Sequence, residues 1–332
     1  MRQERDISTW SLPARALHKL FRITYESPRR RRIASGVFFL PPSRPVDDDI
    51  PFSVHMLVCR RDVTMAICTA KVANLAFERA LPWVFHDDGS LTNEEEHAFQ
   101  TNLPGCKVVR RQEADRVARE QLVEYPEILK YRAHQVMALK LVDVKLWRRG
   151  ERLAYVDSDI LFFRRPDFIF DALENGLDKN YFNKDIADAF VRPADEIGLE
   201  VGVRPLDSLN AGLWVLHADA IDLDTIEGWL KHPAFSKHLY DYTLDQTFIS
   251  MLANSSRNGV DYLPPTYDVA FRKDVTAAVN KHYVGAIRHN YELEGLRYLL
   301  HELDFERRWN QFIGNRRHAT TELSDAVSSV RK

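Results

Sequence analysis

A short apolar segment that ends in two acidic residues constrains this chain more than any other feature. Leu153–Val156 has the β-favouring, apolar composition of a buried strand, and Asp157 and Asp159 follow it directly. In an extended backbone, two side chains spaced i, i+2 point to the same side. Open α/β sheets bind ligands at the carboxyl ends of their strands, and paired carboxylates suit a hard divalent cation. The segment therefore predicts an α/β sheet whose edge holds a metal ion and a phosphate group.

Predicted strands and helices alternate from residue 53 onward. This alternation is typical of the α/β class with a mostly parallel, doubly wound sheet and helices on both faces. The predicted strands are 54–58, 83–85, 108–109, 153–156 and 213–216, and the predicted helices are 63–79, 127–147, 223–231 and 244–252.

Composition excludes several classes of protein. A length of 332 residues accommodates one large α/β domain or two average ones, and a net charge of -2 disfavours a nucleic-acid binder that works by bulk electrostatics. The cysteines Cys59, Cys68 and Cys106 form no Cys-x-x-Cys pair, which favours a reducing compartment over a disulfide scaffold or a zinc ribbon. The apolar run at 33–40 is too short to span a bilayer and lacks the layout of a signal peptide. We therefore expect a cytoplasmic protein.

The first 48 residues differ in composition from the rest. A helical face within residues 12–21 is apolar and is surrounded by basic residues. Such a helix can lie on an anionic membrane surface through residues 12–32, or it can dock on the main domain or on a partner subunit. A Pro-rich stretch follows and predicts a linker. We expect an extension and linker at 1–48, an α/β domain at 49–315 and a polar tail at 316–332.

Three common nucleotide and hydrolase motifs do not occur in this sequence. No Gly-x-Gly-x-x-Gly follows the first predicted strand, and no Gly-x-x-x-x-Gly-Lys-Ser/Thr or Gly-x-Ser-x-Gly is present. A nicotinamide dehydrogenase, a P-loop NTPase and an α/β-hydrolase are therefore disfavoured.

A downstream segment offers the donors that the acidic pair lacks. His282 supplies an imidazole nitrogen, Gly285 permits close approach of a diphosphate, and Arg288 can neutralise that diphosphate bidentately. Two carboxylates with one imidazole suit Mn²⁺ or Mg²⁺ better than a metal that prefers thiolates. His282 alone could be a structural hydrogen-bonding residue, and His289 is an alternative ligand.

The ordered set of motifs resembles metal-dependent, retaining glycosyltransferases of the GT-A fold, in particular the family 8-like group of glycogenin and bacterial galactosyl- and glucosyltransferases. The resemblance spans roughly residues 53–300. Its motifs are Lys140-Leu141 followed by Tyr155–Leu161, similar to YLDADxL; Leu209–Leu213, similar to NSG or NAG; Leu244–Gln246, similar to DQ; and His282-x-x-Gly285-x-x-Arg288, similar to HxxGxxK.

Two positions depart from this family pattern. Arg288 stands where the family has lysine, which keeps the charge but changes the phosphate geometry, and His289-Asn290 replaces a Pro-Trp pair. The segment His86–Ser90 is also similar to the DDGS of other GT-A families. The resemblance is therefore firmer for the superfamily than for family 8.

The resemblance implies transfer of a hexose from a nucleotide-diphosphate sugar, a UDP-sugar by the family pattern, to a glycan, lipid or protein acceptor. It implies Mn²⁺ or Mg²⁺ held by Asp157, Asp159 and His282. The residues that it implies in donor binding are Val58, Cys59, Asp87, Asp88, Lys140, Asp157, Ser158, Asp159, Ala211, Gly212, Gln246, Gly285 and Arg288. The residues that it implies in catalysis are Asn210 and Asp245 near the anomeric carbon and Arg288 at the leaving diphosphate.

Structural interpretations of the same residues stay open at this point. Asp157 could cap the turn that follows it, Lys140 could be a solvated helix residue, and Asp245 could be a helix N-cap. Asn210–Gly212 could be only a turn before a strand, and Asp87 with Asp88 could form an ordinary Asp-Gly turn.

Two other functions remain open as well. A non-catalytic protein with this fold could bind a sugar nucleotide or a glycan. A sugar-1-phosphate nucleotidyltransferase shares the sheet, but it needs a Gly-rich loop after the first strand, and Cys59–Val63 contains no glycine. Retention itself could proceed by front-face attack or through a covalent intermediate on Asp245.

Overall fold

Ten strands lie within the residues that the computed structural model describes, which are 27–47, 50–176, 178–269 and 274–314. They are β1 (Phe52–Val58), β2 (Trp83–Asp87), β3 (Lys107–Val109), β4 (Arg152–Val156), β5 (Ile160–Phe162), β6 (Asn180–Lys184), β7 (Leu209–His217), β8 (Val260–Tyr262), β9 (Tyr267–Asp268) and β10 (Asn280–His282).

Seven of these strands form the central sheet, in the order β3-β2-β1-β4-β7-β6-β8. Strands β1 to β4 pair in parallel, and so do β6 and β8, whereas β7 runs antiparallel to both of its neighbours. A second sheet has the order β5-β10-β9. The α/β class with a mostly parallel sheet is thus confirmed.

Helices cover both faces of the central sheet. They are α1 (Ser27–Phe38), α2 (Val63–Phe77), α3 (Asn93–Asn102), α4 (Arg111–Gln121), α5 (Pro126–His134), α6 (Val142–Leu146), α7 (Asp167–Asn175), α8 (Ala194–Val201), α9 (Leu223–Lys231), α10 (Pro233–Ser236), α11 (Leu244–Ser255), α12 (Arg297–His301) and a helical segment at 305–314. Short 3-10 helices occupy Arg60–Asp62, Val136–Lys140, Ala218–Ala220 and Gly285–Ile287, and a π-helix occupies Tyr291–Leu296.

The alternation of side chains along β4 divides the core into two layers. Ala154 and Val156 pack with α2 in one layer, whereas Leu153 and Tyr155 pack with Trp214 and the helices of the other face. Because successive residues of a strand point to opposite faces, an apolar strand buried on both sides is expected at the centre of a sheet.

The helix predicted at 127–147 is interrupted. Gln135 is extended (φ -123°, ψ 114°), and its side-chain oxygen accepts a hydrogen bond from the backbone N–H of Met137 at 3.2 Å. The chain then continues as the 3-10 helix Val136–Lys140 before α6 begins. The break matters because it carries Lys140 to the carboxyl end of β4, where its ammonium reaches Asp157.

The segment predicted as a linker packs on the main domain. Ala34 and Val37 of α1 belong to the core layer that contains α2. The ammonium of Lys71 donates to the carbonyls of Phe38 and Leu40 at 2.9 and 2.8 Å, and so binds the carboxyl end of α1. The indole of Trp309 donates to Pro41 O at 3.0 Å.

Helix α1 and the Pro-rich stretch after it thus pack on the core, although the prolines at 41, 42 and 45 predict a linker. The predicted amphipathic helix at 12–21 and the predicted tail at 316–332 lie outside the described residues. In the described ranges, no helix is both long and apolar enough to cross a membrane.

Two neutral histidines form a buried chain between β1 and β2. Arg149 N–H donates to Ser53 Oγ at 3.0 Å, so the Ser53 hydroxyl is free to donate to His55 Nε2 at 2.8 Å. His55 Nδ1 in turn lies 2.8 Å from His86 Nε2. Burial lowers the pKa of His86 to about 4 and holds the pKa of His55 well below its ordinary value.

The first prediction is that stability falls as the pH drops below about 6.5. The unfolded chain protonates both histidines near that pH and the folded chain does not, so each contributes a slope of up to about 1.4 kcal/mol per pH unit. Urea unfolding between pH 7 and pH 5 should show a shallower dependence in His86→Gln. The exposed His97→Gln should keep the wild-type slope. If the unfolding free energy of His86→Gln keeps the wild-type dependence on pH, the histidine pair does not cause that dependence.

Candidate active site

Three predicted metal ligands meet at the carboxyl end of β4. Asp157 follows β4, Asp159 precedes β5, and His282 ends β10, where the antiparallel pairing places it opposite Ile160. One ligand atom from each of these side chains lies within 4.8 Å of the other two. We call residues 157–160 the acidic loop. Its fold and the β5-β10 pairing together bring two carboxylates and one imidazole into a single cluster.

The hydrogen bonds of Asn210 fix the orientation of His282. Gly212 N–H donates to Asn210 Oδ1 at 3.0 Å, which identifies that atom as the oxygen, while Asn210 Nδ2 donates to Asp185 at 2.7 Å. His282 Nδ1, which lies 2.8 Å from Asn210 Oδ1, must therefore be the donor. The Nε2 atom then faces the carboxylates, where it can hold either a proton or a cation.

Gly212 makes this close packing sterically feasible. A Cβ atom at this position would lie 2.2 Å from His282 Cε1 and 2.9 Å from Asp157 Oδ2. Asn210, Ala211 and Gly212 lie inside β7, which begins at Leu209, rather than in a turn before the strand. The Asn-Ala-Gly motif thus supplies both the hydrogen bond and the space that His282 needs.

Each carboxylate of the cluster has its own cation. Lys140 Nζ lies 2.9 Å from one oxygen of Asp157 and 3.0 Å from the other, and Arg288 Nε lies 3.2 Å from Asp159 Oδ2. Tyr155 also donates to Asp157 at 2.9 Å. Lys140 is buried against Asp157, so the solvated interpretation of this lysine does not hold.

The mutual charges outweigh the effect of burial. Burial alone would raise the pKa of Asp159, but His282 and Arg288 lower it overall. Burial alone would lower the pKa of His282, but Asp159 raises it overall. The same balance holds at Lys140, where Asp157 raises the pKa of the ammonium against its burial. The acidic loop is therefore anionic near neutral pH.

A cavity of about 350 Å³ opens beside this cluster. Among the residues that line it, Arg288 donates through Nη2 to Asp62 at 2.7 Å and to Ser158 Oγ at 3.2 Å. The residues that line the cavity are Leu57, Cys59, Arg61, Asp62, Asp88, Val136, Met137, Lys140, Asp157, Ser158, Asp159 and Arg288. Seven of the predicted donor-binding residues thus line the same cavity: Cys59, Asp88, Lys140, Asp157, Ser158, Asp159 and Arg288.

Other predicted donor-binding residues do not line this cavity. The carboxylate of Asp87 is buried, and it accepts hydrogen bonds from the backbone of Gly89, Leu91 and Arg111 and from the Arg110 guanidinium. Asp87 thus organises the Asp-Gly turn, and Asp88 is the one that faces the cavity. Val58 is a core residue of β1 with 1% of its surface exposed.

The remaining predicted residues are Gln246, Asp245 and Gly285. Gln246 Oε1 accepts a hydrogen bond from Ala211 N–H at 3.5 Å, and its buried Nε2 has no partner among the described residues. Asp245, in the first turn of α11, is 2% exposed, and burial raises its pKa to about 6. Thr243, and not Asp245, is the N-cap of α11. Gly285 begins a 3-10 helix, with open space where a side chain would be.

Several residues at the site carry no signal in the motifs. Asp62 follows the first strand and binds Arg288, and Asp185 follows β6 and binds Asn210. Thr69 lies in the middle of α2, yet its hydroxyl reaches the acidic loop. Each is an ordinary polar residue in the sequence, and only tertiary packing shows its role.

No protein-family model matches the chain, and no curated protein matches it. Solved structures are similar at low identity. The galactosyltransferase LgtC, in complex with donor and acceptor sugar analogues, is 15% identical with a TM-score of 0.48, over 79% of this chain and 95% of that one. Mouse xyloside xylosyltransferase 1, in its apo form, is 14% identical with a TM-score of 0.46, over 71% and 98%.

Core-mannan synthase A from Aspergillus fumigatus, in its Mn/GDP form, is 13% identical with a TM-score of 0.44, over 67% of this chain and 75% of that one. These structures are GT-A-fold glycosyltransferases, the group that the motifs of this chain resemble.

The second prediction concerns two glycines in matched substitutions. Gly212→Ala should lower stability by about 1–3 kcal/mol and weaken Mn²⁺ binding, because the new methyl group overlaps His282. Gly285→Ala should have the melting temperature of the wild type, since nothing lies within 4 Å of its Cβ position. Thermal melting with and without Mn²⁺ measures both effects. A Gly212→Ala protein that melts and binds Mn²⁺ like the wild type would contradict the packing described here.

Proposed function

We propose that this chain is a metal-dependent glycosyltransferase that uses a nucleotide-diphosphate sugar as its donor. The observation that carries the proposal is the cluster of Asp157, Asp159 and His282. Its two carboxylates line a cavity together with the cations of Lys140 and Arg288. Anionic ligands for a divalent ion, with cations beside them, form a site complementary to a metal-bound diphosphate.

The donor set fits a hard divalent ion. Two carboxylates and one imidazole are suited to Mn²⁺ or Mg²⁺. The hydrogen bond to Asn210 directs His282 Nε2 at both carboxylates, and Gly212 leaves room for the ring. When bound, such an ion would neutralise charge on the departing diphosphate as a Lewis acid. We propose a UDP-sugar as the donor because the motifs of the chain resemble those of UDP-sugar enzymes.

Lys140 and Arg288 would bind the oxygens of the diphosphate directly. Both cations are held by carboxylates, at 2.9 Å between Lys140 and Asp157 and at 2.7 Å between Arg288 and Asp62. A bound diphosphate offers the same kind of anionic oxygen, so each cation can exchange a carboxylate for a phosphate with little movement. Preorganised charge of this kind stabilises the leaving group as its bond breaks.

Asn210 and Asp245 are the residues that we propose next to the transferred sugar. Asn210 orients His282, and Asp245 is buried at the start of α11, where the charges of Lys140 and Asp157 act on it. Asp245 would either stabilise a front-face attack with retention or act as the nucleophile of a covalent intermediate. The acceptor would be a glycan, a lipid or a protein.

Two alternatives are weaker. A non-catalytic sugar-nucleotide binder would have no need of a complete set of metal ligands with an oriented imidazole. A nucleotidyltransferase needs a glycine-rich loop after β1, where this chain has the 3-10 helix Arg60–Asp62.

The free cysteines Cys59, Cys68 and Cys106 support the proposal that the enzyme is cytoplasmic. Helix α1 supports the proposal that it works at an anionic membrane surface. Arg29 and Arg32 are exposed on α1, and Phe39, the residue that follows the helix, is 77% exposed. Neither arginine has an ion-pair partner among the described residues, whereas Arg30 is bound to Glu292. Cationic groups beside an exposed aromatic ring favour an anionic bilayer.

The third prediction tests the proposed chemistry. Asp159→Asn should lower Mn²⁺-dependent release of UDP from UDP-glucose or UDP-galactose by at least about 100-fold, because it removes one metal ligand. The exposed Asp171→Asn should act like the wild type, and excess EDTA should abolish release in both. Full activity of Asp159→Asn, or activity in EDTA, would exclude the proposed mechanism. Thermal shifts across UDP-, GDP- and ADP-sugars identify the base that binds.

The fourth prediction tests the membrane surface. Arg29→Glu with Arg32→Glu should reduce co-sedimentation with phosphatidylserine vesicles by about 30-fold or more at low salt, since each basic group contributes about 1 kcal/mol. Arg116→Glu with Arg119→Glu changes the net charge equally, at exposed positions of α4, and should bind like the wild type. An equal loss of vesicle binding in both double variants would show a bulk-charge effect only. No loss of binding in Arg29→Glu with Arg32→Glu would refute the proposed membrane-binding surface.

A further inference from the structure

A buried hydroxyl pair joins the acidic loop to the segment that carries Arg288. Thr69 Oγ1, which is fully buried in α2, lies 2.7 Å from Ser158 O and 3.0 Å from Ile160 O. It also lies 2.8 Å from the hydroxyl of Tyr291, which is equally buried. Threonine in the middle of an apolar helix has no evident role in the core, so these three contacts call for an explanation.

Counting protons limits how these hydrogen bonds can run. Each hydroxyl has one proton, and Ser158 O and Ile160 O can only accept. Thr69 donates to the acidic loop, where Ser158 O is the nearer acceptor. The hydroxyl of Tyr291 lies 2.8 Å from Thr69 Oγ1 and 3.1 Å from Met65 O, and either atom can accept its proton. The result is a hydrogen-bonded chain that links Tyr291 through Thr69 to the loop.

This chain holds Ser158, whose neighbours in the acidic loop are held by backbone hydrogen bonds. Asp157 O accepts from Ile160 N–H at 3.3 Å, and Asp159 O accepts from Tyr283 N–H at 2.9 Å. Ser158 lies between these two, and Thr69 is the partner that the described residues give to its carbonyl. The backbone between Asp157 and Asp159 is thus held by a side chain of helix α2.

Tyr291 ties the same anchor to the diphosphate side of the cavity. It begins the π-helix Tyr291–Leu296, and its N–H donates to Arg288 O at 3.2 Å. The extra residue of a π-helical turn shifts the side chains that follow, and such turns are common at functional sites. Here Glu292 binds Arg30 of α1, while Tyr291 points inward to Thr69.

We propose that Thr69 and Tyr291 are positioning residues that set the separation of Asp157 and Asp159 and their register with Arg288. The inference rests on the proposed metal site, and it adds two residues that touch neither the metal nor the donor. Loss of the Thr69 hydroxyl would leave Ser158 O without this partner, so the peptide between the two carboxylates would be less tightly held and their separation less well fixed for one cation.

The fifth prediction uses a pair of isosteric and conservative variants. Thr69→Val removes the hydroxyl at nearly constant volume and should weaken Mn²⁺ binding about tenfold or more, as measured by electron paramagnetic resonance of free Mn²⁺. Thr69→Ser keeps the hydroxyl and should bind nearly as the wild type does. Tyr291→Phe keeps the ring and should lie between the two. Mn²⁺ alone is the probe, at a temperature where every variant is folded.

Amide hydrogen exchange supplies a readout that does not need the metal. Exchange at residues 157–160 should accelerate in Thr69→Val while that of β2 stays unchanged, because the loop alone loses its anchor. Thr69→Val that matches the wild type in Mn²⁺ affinity and loop exchange would overturn the inference. If Thr69→Val does not fold, the same two measurements on Tyr291→Phe decide. Absence of Mn²⁺ binding in the wild type would instead refute the proposed function, and loop exchange would still decide the inference.

Discussion

The pairing of β5 with β10 is the contact on which the site depends. Residues 159 and 282 are far apart in the sequence, and the antiparallel register that places His282 opposite Ile160 brings the imidazole to 3.1 Å from Asp159. A shift of this register by one residue would turn His282 to the other face of the small sheet. The glycine at 212, the amide of Asn210 and the hydroxyl of Thr69 all support this one geometry from different elements of the fold.

Charge compensation explains how so many ionisable groups coexist in a small volume. Lys140 neutralises Asp157, and Arg288 lies between Asp159 and Asp62. Buried charges are tolerated when they are paired and hydrogen-bonded, so the two cations stabilise the three carboxylates around them. A divalent ion and a diphosphate together add opposite charges of similar size. In the proposed complex the two would therefore bind together without a large change in the net charge of the cavity.

Local patterns predicted the parts of this structure that depend on short segments. The apolar runs before Asp157 and in β1, and the helix at Leu223–Lys231, follow from periodicity alone. The strands β5, β6, β8, β9 and β10 were not predicted, because they are short and, except for β5, rich in polar residues, so that they gain stability only from their neighbours. The helix at 127–147 was overextended because its composition is helical on both sides of Gln135. Asp62, Asp185 and Thr69 act through partners distant in sequence, which no local pattern reveals.

The packing of α1 has a consequence for the order in which the chain folds during synthesis. Helix α1 leaves the ribosome long before several of its partners are made. Arg30 binds Glu292, Gly36 faces Leu300, and Pro41 accepts the indole hydrogen of Trp309. Such long-range contacts cannot form until residues 292–309 have emerged. The nascent chain must therefore carry a partly uncovered α1 and an open core layer until then, and this exposed apolar surface favours aggregation.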